Sequence, residues 1–148
     1  MLSESARAAS AAEARFRIQA PNSRPRTTTV IALDAASEPV LRRLAGESWS
    51  RATFLQAPVG EAELRDQVDQ SDQVIMLATA GGCADAAEAV GRACSRKRVT
   101  TTALVVGTEN ATEPELSKTL VQLRPWSLMV VIAGSDDYIT DMMTALRV

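Results

Sequence analysis

Through residues 27–148, short apolar runs alternate with stretches in which apolar residues return every three or four positions, and the pair of patterns recurs five times. A run of β-branched and aliphatic residues reads as a strand, whereas apolar residues at i, i+3 and i+4 form one face of a helix. The first unit joins the strand "TTTVIALDA" (Thr27–Ala35) to "SEPVLRRLAGES", with Ser37 as N-cap, Pro39 in the first turn, and Val40, Leu41 and Leu44 on one face. The second joins "ATFLQA" to "VGEAELRDQVDQ", where Leu64 and Val68 stand four apart.

The third strand, "DQVIMLATA", has no polar alternation in its middle, so both of its faces are expected to be covered. Two glycines lead from it into a helix with Ala86, Ala87, Val90, Ala93 and Cys94 on one face. "VTTTALVVG" then precedes "TEPELSKTLVQL", in which Thr112 caps, Pro114 comes early, and Leu116, Leu120 and Leu123 align. The last unit is "SLMVVIAGS" with "DDYITDMMTALRV". Ser135 is its cap, Asp136 and Asp137 suit the positive end of the helix dipole, and Tyr138, Ile139, Met142, Met143 and Leu146 form the expected buried stripe.

Five strand-helix units with short connections predict an α/β protein. The expected form is a three-layer α/β/α sandwich around a five-stranded, mostly parallel sheet, because parallel neighbours need crossover connections. Two strand orders fit, a flavodoxin-like 2-1-3-4-5 and a Rossmann-like 3-2-1-4-5. Ahead of this single domain, residues 1–26 read as a flexible or partly helical arm, ending in the turn-rich "APNSRPR".

Composition narrows the chemistry. The chain of 148 residues suits one domain, and its apolar runs "VIMLATA" and "SLMVVIAG" fall short of the ~18–20 residues that span a bilayer, so both are expected as buried strands. The N-terminus lacks a continuous apolar signal region, which makes a cytoplasmic location the expectation. There is no histidine. That absence removes Ser-His-Asp and Cys-His catalysis and histidine-based metal sites. Two cysteines are too few for a disulfide framework. Net charge is −2, divided into +3 for residues 1–26 and −5 for the remainder. With no aromatic residues interleaved in a basic patch, nucleic acid is not the expected partner.

In either strand order, ligands approach the carboxyl ends of the strands where the winding reverses. A flavodoxin-like order brings Asp34 to the Ala80–Cys83 turn, and a Rossmann-like order brings it to Gly107–Asn110. Gly81 and Gly82 permit close backbone approach ahead of a helix N-terminus, an arrangement that can seat a phosphate or carboxylate, although it equally serves as a tight turn. Cys83, near that N-terminus, is the one candidate for a nucleophile, while Cys94 belongs to the core.

Asp34 resembles the acidic residue that receiver domains and haloacid-dehalogenase-like phosphatases place after the first strand. The chain departs from both patterns, with Ala78–Gly82 at the phospho-acceptor position, Gly134–Asp136 at the lysine position, and no DxD in "LDAAS". Asp72–Ala93 followed by "TTTALVV" is similar to the nucleotide-binding region of the FtsZ/tubulin family. That family's GGGTGTG-type loop is shortened here to "GGCADAA", and GTP hydrolysis is not implied.

The reading that results is a non-catalytic, Rossmann-like accessory or regulatory module, binding a small anionic ligand or a protein partner at its strand-end loops. Its candidate residues are Asp34, Ala80, Gly81, Gly82, Cys83, Gly107, Thr108 and Ser135; no metal ligand and no cofactor is assigned. The alternatives are an enzyme using Cys83 or a bound nucleotide-type cofactor, and a structural subunit of a larger complex. A homo-oligomer is compatible with all three.

Overall fold

A computed structural model describes residues 24–148. Its strands are β1 (Thr28–Ala32), β2 (Ala52–Gln56), β3 (Gln73–Thr79), β4 (Thr100–Val106) and β5 (Met129–Ile132). They alternate with helices α1 (Glu38–Ala45), α2 (Glu61–Asp69), α3 (Ala87–Lys97), α4 (Glu113–Leu123) and α5 (Asp136–Ala145). The expected arm at residues 1–26 lies outside the described residues except for Arg24–Arg26. Among these, the Arg26 amide donates to the Arg147 carbonyl at 2.7 Å, bringing the start of the described chain against its end.

Every strand pair is parallel and the order is β2-β1-β3-β4-β5. This selects the flavodoxin-like alternative. Alternation along the strands sends Ile31, Val74, Met76, Ala103 and Val105 to the face covered by α2, α3 and α4. Val30, Ile75, Leu77 and Leu104 go to the opposite face with Leu41, Leu44, Ile139 and Met143 of α1 and α5. Because β1, β3 and β4 are central, their apolar residues are covered twice, and each such aliphatic side chain contributes about 1.5–3 kcal/mol by leaving water.

Three local expectations are corrected. "SLMVVIAG" is not a buried strand, since β5 is an edge, with Ile132 45% exposed and Leu128, just before it, 78% exposed. Only one of its flanks has a neighbour, and strand order is invisible to local hydrophobicity. Tyr138 leaves the buried stripe of α5, which runs instead through Ile139 and Met143. Ser37 does not use its side chain to cap α1: Asp34 caps a short 3₁₀ turn at Ala35–Ser37, and the helix continues from that turn. No helix among the described residues is long and apolar enough to cross a membrane.

Candidate functional site

Winding reverses between β1 and β3, which places Asp34 and the turn after β3 side by side. The Asp34 carboxylate accepts hydrogen bonds from the Ser37 amide at 2.8 Å, the Thr79 amide at 2.8 Å and the Thr79 hydroxyl at 3.2 Å. The Ser37 hydroxyl donates to the carbonyls of Asp34 (3.1 Å) and Leu77 (3.4 Å), while the Gln56 amide donates to the Asp34 carbonyl at 3.0 Å. Asp34 thus joins three strand ends, and the carboxylate is occupied by protein donors. Gly82 packs directly against it, so closely that a Cβ there would overlap the carboxylate.

The backbone donors of the glycine turn also have protein partners. The amides of Ala80, Gly81, Gly82 and Ala84 donate to the Val106 carbonyl, the Thr119 hydroxyl, the Thr79 carbonyl and the Gln122 side-chain oxygen, at 2.8–2.9 Å. Gln122 completes a clasp by donating from its Nε2 to Asp85 at 2.8 Å. Gly81 adopts φ +85° with the Glu115 carboxylate alongside it, so its side of the turn faces an acid. The side chains Thr119, Gln122 and Glu115 all come from α4 and had no signal in the local sequence of the turn.

These bonds hold residues 81–86 as a turn, and α3 begins only at Ala87. Cys83 therefore stands four residues ahead of the helix instead of at its N-terminus, and Asp85 lies outside it. The Cys83 thiol is free and exposed, with no assisting base beside it in the sequence. Cys94 is buried in α3, and burial pushes its thiol up to about 12.

Open space is found elsewhere, beyond the ends of β4 and β5. A cavity of about 360 Å³ is lined by Gly107, Gly134, Ser135, Glu109, Asp136 and Asp137, over the apolar floor of Val106, Ala133 and Ile139. Gly107 turns the chain with φ +69° beside the Thr79 methyl, so this wall rests on the same strand end that binds Asp34. The Ser135 hydroxyl accepts from the Tyr138 amide at 3.3 Å, and Asp136 pairs with Arg43 at 2.6 Å. Among the described residues, neither Glu109 nor Asp137 has an ion-pair partner.

The candidate residues consequently divide. Asp34, Ala80, Gly81 and Gly82 meet at the winding reversal in a closed, internally bonded junction. Gly107 and Ser135 line the open cavity; Thr108 follows Gly107 without lining it. A second concavity of about 480 Å³ lies between α2 and α3, with Arg65, Arg92 and Arg96 around Leu64 and Ala93. No cluster of three metal-binding side chains occurs among the described residues.

Neither a protein-family model nor a curated protein sequence matches the chain. Its fold is similar to that of translation elongation factor SelB from Methanococcus maripaludis, solved in complex with the GTP analogue GPPNHP. The likeness has a TM-score of 0.54 at 12% identity, over 83% of this chain and 33% of that one. The chain therefore spans about a third of that protein, and at this identity the likeness is one of fold. What fold and comparison together define is a Rossmann-like α/β domain with a five-stranded parallel sheet.

Proposed function

We propose that this chain is a non-catalytic binding module that recognises a protein partner through its strand-end loops, gripping a basic side chain in the cavity beyond β4 and β5. The observation that carries the reading is that cavity, the opening at the strand ends where polar groups converge and remain available. Glu109 and Asp137 supply negative charge without a paired cation, and Ser135 and the Gly107 backbone supply polar edges. A lysine or arginine entering here gains charge-assisted hydrogen bonds. A small anion is less suited to such a lining, and the glycine turn that would otherwise seat one has most of its donors engaged.

The elongation factor is bound to a GTP analogue, but this chain has "LDAASEP" after its first strand and no GxxxxGK[ST] stretch with which to cradle phosphates. Calorimetric titration with a short arginine-rich peptide, a glutamate-rich peptide, inorganic phosphate and GTP tests the reading. The basic peptide should bind, more weakly as salt rises. Glu109→Gln with Asp137→Asn should cost it at least about tenfold in affinity, equivalent to 1.4 kcal/mol. Binding of phosphate or GTP in place of the peptide would return the reading to a small anionic ligand, and binding of none of the four would overturn it.

A further inference from the structure

The exposed large hydrophobic side chains among the described residues are Val121, Leu128, Met129, Ile132 and Tyr138. All five belong to β5, the residue before it, or the helices that precede and follow it. β5 ends the sheet, so one side of its backbone has no neighbouring strand. Soluble proteins blunt such edges with charges, prolines or bulges. Ser127–Gly134 contains neither a charge nor a proline.

Charge is instead placed beyond the two ends of the strand. At its starting end stands Arg124, in the turn that leads into it, while Arg96 and Lys97 of α3 face α2. Glu109 and Asp137 lie at its finishing end, beside Asp136, which is paired with Arg43. A neighbouring strand of the same chain laid parallel would set like charges together. Laid antiparallel about a two-fold axis, it brings each basic end to the partner's acidic end, and the symmetry makes that contact twice.

We propose that β5 is a self-pairing edge, through which two copies of the chain join antiparallel into one continuous sheet. Leu128, Met129 and Ile132 of each copy cover one another, and the free backbone groups of β5 find partners. The apolar strand and its opposite end charges are complementary to themselves, which favours a second copy over an unrelated strand. The pairing shares Glu109 and Asp137 with the cavity proposed above, and sedimentation without any peptide tests it apart from that reading.

Sedimentation equilibrium of the full chain tests it. The expected result is a concentration-dependent monomer–dimer equilibrium, weakened at least tenfold by Ile132→Lys while the thermal unfolding curve of the monomer stays in place. Arg124→Glu alone and Asp137→Arg alone should each dissociate the dimer, since each faces like charges across the axis. An equimolar mixture of these two variants should dimerise again, because every end contact then joins opposite charges. A monomer at all concentrations, a dimer indifferent to Ile132→Lys, or variants whose mixture stays monomeric would overturn the proposal.

Discussion

Asp34 shows how one side chain can hold several elements in register. Its carboxylate caps the turn into α1 and also binds both donors of Thr79, so that β1, β3 and the α1 approach are fixed by a single group. Asp34→Ala should lower the unfolding free energy by about 2–3 kcal/mol, as a lost cap and partly buried unpaired donors together cost. Urea unfolding checks this, and a loss below half that size would show that water replaces the carboxylate. The position of Asp34 at a strand end was legible from the apolar run before it. Its bonds to Thr79, 45 residues away, were not, because no local pattern encodes a contact made by strand order.

The two thiols give a second contrast at this scale. Burial pushes the Cys94 thiol from an ordinary value near 9.0 up to about 12, so the unfolded chain releases its proton at lower pH than the folded protein does. The folded pKa is the higher one; the associated stability is full below about 9 and is lost as pH rises toward 12. Cys94→Ala should flatten this part of the stability curve, measured by urea unfolding over the same pH range. In the native protein iodoacetamide should label exposed Cys83 and leave Cys94 untouched; equal labelling would contradict the burial.

At the scale of elements, α4 does more than cover the sheet. Thr119, fully buried, accepts the Gly81 amide and donates to nearby carbonyls, while Gln122 binds the Ala84 amide, so that one helix fixes the turn between β3 and α3. Thr119→Val keeps the shape and removes the acceptor, with an expected loss of about 1–3 kcal/mol for the stranded amide. Hydrogen exchange should show the Gly81 amide deprotected in this variant, ahead of amides in β3. Helix α3 also meets the turn that follows α4: Gly91 packs against Trp126, whose ring lies 5.0 Å from the Arg92 guanidinium. The strands and helices were readable from their periods because core and surface positions separate cleanly. Thr119 and Gln122 read as ordinary polar positions on an amphipathic helix, since their partners lie 38 residues away.

For the molecule as a whole, strand order determines which loops are closed and which are open. The order β2-β1-β3-β4-β5 sets Asp34 against the glycine turn, and their mutual packing fills the junction where winding reverses. Open space is displaced to the ends of β4 and β5, where the lining is acidic. The sequence showed the strand-end loops and put candidate residues in several of them, but not which loops would spend their donors on each other. The edge position of β5 was hidden for the same reason, as its apolar run looks like that of a central strand until its neighbours are known.

The central claim is that the β4–β5 cavity, and not the glycine turn, receives a basic group. An amide-resolved NMR titration of the full chain with an arginine-rich peptide tests it most directly. The account predicts shifts concentrated at Gly107, Glu109, Gly134, Ser135 and Asp137, with Gly81, Gly82 and Cys83 nearly unchanged. Shifts centred on Gly81–Cys83, with the cavity residues unmoved, would contradict it.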